Sequence, residues 1–321
     1  MIIKQADDKQ SDLSILKKLL THPDADVAKK KRIEQEIRNI QAGIRGEEEA
    51  AYEMKVHYSE SKNWMIIHDL RIEHGGLVAQ IDHLIINRFL EMWVCESKHF
   101  SKGIEINEYG EFSAFDFDGK PYGVPSPIEQ NNKHILILKR IFDSNAVKLP
   151  TRLGFTIKPS LKSLVLVSKN ARITRPKVKI DGLDCIIKND QLFKTIDKAT
   201  DDSNRLLIVK TIGQDTVEAL AKEIVKLHKP IQFNWLAKFS LSSPSQVLAT
   251  PAPVVQAQKQ SISQTAQSIA TTEDSKKPSQ KLICYSCGAS ITYNVAKFCW
   301  GNKLKYSGNI YCIECQKKVV A

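Results

Sequence analysis

The stretch that decides the fold is Gln80-Ile81-Asp82-His83-Leu84-Ile85-Ile86, followed after Asn87-Arg88 by Met92-Trp93-Val94-Cys95-Glu96-Ser97-Lys98-His99. Both runs are rich in β-branched and aromatic residues with a turn between them, the signature of two adjacent antiparallel strands. Side chains alternate across a strand, so Glu96 and Lys98 share one face, and the neighbouring strand can set Asp82 beside them. Two carboxylates then converge with one ammonium. Close carboxylates repel unless a cation lies between them, and a pair of hard oxygen ligands with positions left for water is what Mg²⁺ favours in phosphoryl chemistry. A lysine at that point can orient or deprotonate an attacking water. A Glu-x-Lys on its own would be a weak surface ion pair. Asp82 alters that reading, because a carboxylate inside the apolar run Ile81 to Ile86 is costly to bury unless it is paired or binds a metal.

Working outward, Asp24 to Gln41 has Val27, Ile33, Ile37 and Ile40 at helical spacing; Gly43 and Gly46 then interrupt before Glu47 to Tyr58, which predicts two helices. Glu47-Glu48-Glu49 reads as the acidic first turn of the second. Short strand-like runs follow at Met65 to Ile67, Ile81 to Ile86, Met92 to Cys95 and Phe112 to Phe117, separated by Gly75-Gly76, Asn87-Arg88 and Tyr109-Gly110. They predict one antiparallel meander. Pro127 opens a helix through Phe142, Leu161 to Val167 and Cys185 to Ile187 are buried strands, and Thr216 to His228 is a further helix. The order helix, meander, helix, strand specifies an α/β domain with a mixed sheet flanked by helices.

The whole chain has 321 residues, enough for about two domains. Its 47 Lys+Arg against 36 Asp+Glu leave a net charge of +11, which points to an anionic partner. No apolar run approaches the ~18 residues of a membrane span. The start, Met1 to Asp8, turns acidic where a signal peptide turns apolar, so a cytoplasmic protein with no membrane partner is expected. The eight histidines form no H-x-E-x-x-H or His-Asn-His grouping, and there is no Gly-x₄-Gly-Lys-Ser/Thr loop. A zinc protease, an HNH nuclease and an ATP-driven motor therefore find no support. His83 points to the opposite strand face from Asp82 and reads as a packed residue, and Lys29-Lys30-Lys31-Arg32 as a solvated helix face.

Residues 240–280 contain no aromatic residue and are dominated by Ser, Gln, Thr, Ala and Pro, a composition that predicts a flexible linker. Beyond it, Cys284-Tyr285-Ser286-Cys287 and Cys312-Ile313-Glu314-Cys315 form two C-x₂-C knuckles with aromatic and apolar residues between them. In a reducing compartment such knuckles favour a tetrahedral structural Zn²⁺ held by Cys284, Cys287, Cys312 and Cys315. Cys299 is surplus to four ligands and reads as a small buried hydrophobe. Lys297, Lys303, Lys305, Lys317 and Lys318 with Tyr293, Trp300 and Tyr306 could make a basic, aromatic nucleic-acid surface. A ribbon that docks a protein partner fits the same residues.

The Asp…Glu-x-Lys arrangement resembles the PD-(D/E)xK nuclease superfamily, and its surroundings resemble the NERD (nuclease-related domain) branch. The likeness rests on Gly43-Ile44-Arg45-Gly46-Glu47, Gln80 to His83, Glu96-Ser97-Lys98 and Pro127-Ile128-Glu129-Gln130, covering roughly residues 43–145. Ser97 departs from the more usual Thr. The resemblance implies a restriction-endonuclease-like mixed sheet. It also implies that Asp82 and Glu96 are Mg²⁺ (or Mn²⁺) ligands, Lys98 the catalytic lysine, Glu47 an accessory acid, and Gln130 a contact to the site or to the DNA backbone. The expected division is a helical extension over 1–42, the nuclease-like domain over 43–239, the linker over 240–280 and the zinc ribbon over 281–321. The activity so implied is metal-dependent hydrolysis of DNA phosphodiester bonds, with RNA not distinguished from DNA. A non-catalytic adaptor that keeps the fold is the alternative, and it would need none of Asp82, Glu96 and Lys98.

Overall fold

The computed structural model describes residues 1–116, 118–152, 154–207, 211–242, 282–287, 289–301, 306 and 309–316. They fall into two units, one ending at 242 and one beginning at 282. Of the expected linker, 243–280 lies outside the described residues, as do Phe117, Lys303, Lys305, Lys317, Lys318 and the side chains of Tyr293 and Lys297.

The first unit opens with β1 (Ile2–Lys4), α1 (Gln10–Leu19) and α2 (Val27–Tyr58). The meander β2 (Trp64–His74), β3 (Leu77–Asn87) and β4 (Glu91–Lys98) follows. Next come β5 (Ile104–Ile106), β6 (Phe112–Phe115), β7 (Pro121–Val124) and α3 (Pro127–Asp143). After a short hairpin of β8 (Thr151–Arg152) and β9 (Phe155–Thr156) the chain forms β10 (Ser160–Val167), β11 (Ile173–Thr174) and β12 (Ile186–Lys188). It ends with α4 (Leu192–Leu207), α5 (Gln214–Val225) and α6 (Trp235–Lys238).

The main sheet has the order β1-β2-β3-β4-β10-β12. The meander is antiparallel, and β1, β10 and β12 join it in parallel, so the sheet is mixed. One face packs Ile67, Leu84, Ile86, Met92 and Val94 against Ile137, Leu138 and Ile141 of α3 and Val217, Leu220 and Ile224 of α5. The other packs Ile66, Ile85, Trp93 and Cys95 against Ala50, Met54 and Tyr58 of α2 and Ile196 of α4. Helices thus flank both faces, as the alternation of elements requires.

Three expectations are corrected. The opening is not a helix pair broken at Gly43 and Gly46, because α2 runs through both glycines. Gly46 serves packing instead: a Cβ there would stand 3.2 Å from both Cβ and N of His99, so α2 crosses the end of β4 this closely because no side chain intervenes. Nor is the meander single. The free edge of β4 is occupied along its whole length by β10, from Ser160 opposite Glu91 to Val167 opposite Lys98. The chain therefore leaves the sheet, and β5, β6 and β7 build a second one with β11 around Ile104, Ile106 and Phe112. Residues 1–42, read as helical, also supply β1 to the main sheet.

Local signals account for the well-read elements. Asp26 caps α2 by accepting from the Lys29 N–H at 2.7 Å, and Ser126 caps α3 by accepting from Glu129, with Pro127 at the first helical position. Gly75 and Gly76, at φ +56° and +76°, close the β2–β3 hairpin in the left-handed turn that suits strand twist. Leu241 is buried with Leu16, Ile33 and Trp235, and the Ser242 N–H donates to Asp24, so the first residues of the expected linker belong to the packed unit.

In the second unit an isolated bridge joins Ile283 and Ser290, followed by α7 (Tyr293–Gly301) and α8 (Ile313–Gln316). Its core consists of Cys284, Ile291, Ala296 and Cys315. Among the described residues no helix is long and apolar enough to cross a membrane.

Candidate functional site

The adjacent strands β3 and β4 bring Asp82 and Glu96-x-Lys98 together as the alternation argument anticipated. The Ser97 N–H donates to Asp82 Oδ2 at 2.7 Å, fastening the aspartate to β4. Lys98 Nζ donates to Glu96 Oε1 at 2.6 Å and to Gln130 Oε1 at 3.1 Å. Gln130 arrives from the first turn of α3, whose placement is fixed one residue later: the Asn131 amide, fully buried, donates to the Val94 and Leu164 carbonyls and to Ser163 Oγ. The Glu96 side chain is only 3% exposed, and its Oε2 is buried without a hydrogen-bond partner among the described residues; His134 Nδ1 lies 3.6 Å away.

Glu47 also reaches this centre, but from the middle of a 32-residue helix and not from an acidic first turn, so its position owes nothing to the helix dipole. Both of its carboxylate oxygens accept from Lys9 Nζ, at 2.7 and 2.6 Å. Lys9 in turn lies 4.0 Å from Asp69 Oδ2. Neither Lys9 nor Asp69 was singled out in the sequence. Lys9 precedes α1 in an unremarkable polar run and meets Glu47 only through the tertiary fold. Asp69 carries a non-glycine φ of +49°, and at this point the apolar face of β3 passes from Ala79 and Ile81 to Leu84 and Ile86. Strict alternation breaks beside Asp82, a kink of the kind that re-aims side chains near sites.

Burial, then the neighbouring Glu96 and Glu47, push the Asp82 carboxyl well above its ordinary value. Burial likewise raises Glu96 against the opposing Lys98, and Glu47 against the opposing Lys9. Behind the centre, His83 Nδ1 meets His68 Nδ1 at 2.8 Å and His83 Nε2 meets Ser97 Oγ at 3.0 Å. Burial lowers both imidazoles, His68 to about 4, so His83 is a packed neutral residue.

These features fit a divalent cation. Asp82 and Glu96 offer hard oxygens, Glu96 Oε2 is a buried acceptor lacking a donor, and added positive charge would relieve the raised carboxyls. Among the described residues, only the four cysteines place three or more such ligand atoms within 4.8 Å of one another. The strand centre accordingly offers two carboxylates with water to complete a shell, the pattern Mg²⁺ tolerates.

In the second unit the Sγ atoms of Cys284, Cys287, Cys312 and Cys315 all lie within that 4.8 Å distance, a grouping compatible with zinc. Burial opposes ionisation of Cys284, but N–H groups of Cys312, Cys287 and Ser286 outweigh it and bring this thiol down to about 6. Cys299 stands apart: it is buried, and its sulfur accepts from the Tyr311 N–H and from Gln316 Nε2, each at 3.3 Å. Trp300 is partly exposed, whereas Tyr306 is buried.

No curated protein and no solved structure matches the chain. The stretch from the middle of α2 to the end of β10, which contains Glu47, Asp82, Glu96, Lys98 and Gln130, does have a counterpart: residues 42–168 match the family model NERD, nuclease-related domain, and the chain thus carries a nuclease-related domain there.

Proposed function

We propose that the protein hydrolyses phosphodiester bonds in DNA at the centre formed by Asp82, Glu96 and Lys98, using Mg²⁺ or Mn²⁺. The observation that carries this reading is the Lys98 ammonium held between Glu96 and Gln130, beside a buried Glu96 oxygen that accepts no hydrogen bond among the described residues. Asp82 and Glu96 would hold the cation, which when bound neutralises charge on the phosphate and acidifies a water. The chain's own groups do the rest. Lys98, positioned by two acceptors, orients the attacking water and stabilises the charge that builds on the phosphoryl oxygens. Gln130 sets the lysine's direction. Glu47 is an accessory acid whose charge Lys9 balances. In the second unit, the four cysteines would hold one structural Zn²⁺, and this unit contacts nucleic acid or a protein partner.

The test is incubation of the purified full chain with circular and linear, single- and double-stranded DNA in Mg²⁺, Mn²⁺ or EDTA. Cleavage with either metal, none in EDTA and none by Glu96→Gln is expected. Uncut DNA under every condition, with binding retained, would replace this reading by the adaptor.

A further inference from the structure

A cavity of about 450 Å³ opens beside the strand centre, between α1, the middle of α2 and the segment preceding α6. It borders the centre through Glu47, which lines it together with Asp69 and with Gln80, two residues before Asp82 on β3. Across from them stands Phe233, 44% exposed, with its ring stacked on Trp235 at 4.7 Å between centroids and 26° between planes. Trp235 is buried, and its indole N–H donates to Asp12 at 2.6 Å. Phe233 is therefore an aromatic platform braced from behind by a fixed ring.

The cavity's charge decides what it can take. The acidic wall includes Asp8, Asp69 and Glu36, the last paired with Lys238 at 2.7 Å, while the cations that line the cavity are engaged, Lys9 with Glu47 and Arg71 with Glu73. A phosphate would meet carboxylates there and would be repelled. A flat, uncharged ring carrying N–H donors meets a stacking face and acceptors, which is the chemistry of a nucleobase with an exocyclic amino group.

We propose that this cavity is a nucleobase subsite, in which Phe233 stacks on an unpaired base next to the phosphodiester placed at Asp82, Glu96 and Lys98. The proposal rests on the nuclease reading for the position of the phosphate, and it narrows the substrate. A base inside an intact duplex is stacked and paired and cannot reach Phe233 without being extruded, so the preferred substrate is a single strand, overhang or gap.

Binding in buffer without added Mg²⁺ or Mn²⁺ and without chelator, where the proposed hydrolysis is silent and the cysteine cluster is undisturbed, separates the two readings. The full chain is titrated into a labelled oligodeoxyadenylate and into an abasic oligonucleotide of equal length and charge. Phe233→Ala and Phe233→Leu should weaken binding of the adenylate about tenfold, the order of one lost base–aromatic stack, and leave the abasic strand unchanged. Phe233→Tyr should bind both as the parent does. Equal loss on both strands, or no loss on either, overturns the subsite even if the protein cuts DNA. Base-dependent loss in a protein that cuts no DNA upholds the subsite and removes only the hydrolytic reading.

Discussion

The strand centre and the cysteine cluster gather ligands by opposite means. Glu47, Asp82, Glu96 and Gln130 come from α2, β3, β4 and α3, which two extensive apolar layers hold in place whether or not an ion is present. The cysteines sit in a unit whose described buried core counts two of the four clustered thiols among its members, Cys284 and Cys315. A large core lets a site accommodate raised carboxyl pKa values and an unpartnered oxygen, and a small one needs its ion in order to fold. The first metal should therefore be dispensable for structure and the second for chemistry.

The largest test of that contrast is zinc removal. Structural zinc in small domains is worth on the order of 10 kcal/mol, so chelation or Cys312→Ser should unfold the second unit while leaving the melting of the first unchanged. Metal analysis should find one zinc per chain, kept by Cys299→Ser, whose sulfur is engaged elsewhere. Loss of zinc from Cys299→Ser would break the ligand assignment.

Next in size is Lys98→Ala, which should lower cleavage by ~10²–10⁴-fold with little change in Tm, since a positioned proton-transfer group contributes about that much. A variant that cuts at the parental rate would show that Lys98 merely neutralises Glu96.

Acid should separate the units further. An unfolded imidazole takes up its proton near pH 6.5, whereas His68, lowered chiefly by burial and further by Lys4, resists until about 4. Between these values the unfolded state binds the extra proton. The His68 contribution to the first unit's stability should be complete above pH 6.5 and fall by up to about 3 kcal/mol as the pH drops to 4, with His83 and His134 acting in the same direction and the raised Asp82, Glu96 and Glu47 opposing. Urea denaturation at pH 7 and 5 should reveal this slope, and His68→Asn should flatten it.

The smallest effect sharpens the account of α2. Gly43→Ala meets only Glu47 Oε1 at 3.9 Å and should stabilise by ~0.5–1 kcal/mol. Gly46→Ala presses on His99 at 3.2 Å and should destabilise by about 1 kcal/mol despite the same helical gain. Equal signs would refute the close crossing.

These glycines also mark where sequence reading stops. Period-two alternation was enough to place Glu96 and Lys98 on one face, and cross-strand adjacency to add Asp82, because those relations are local. Pro127 located the start of α3, but Gln130 came into view only through the family resemblance, because nothing local says where its side chain ends. Gly43 and Gly46 look like breakers because helix propensity is a weak prior that packing overrides. Lys9 stayed hidden because its partner Glu47 lies far along the chain, and Asp69 because a left-handed φ in a strand leaves no compositional trace. The split of the meander was equally invisible, since it depends on β10 taking the edge of β4.

That last arrangement also orders events in time. The hairpins β2–β3 and β3–β4 close over a few residues, whereas β4 meets β10 only after β5, β6, β7 and α3 have intervened. Loop-closure entropy favours the short closures first, and non-local parallel pairing is slow. Asp82, Glu96 and Lys98 should thus be gathered early in folding, and the amides of β3 should gain protection from hydrogen exchange before those of β10.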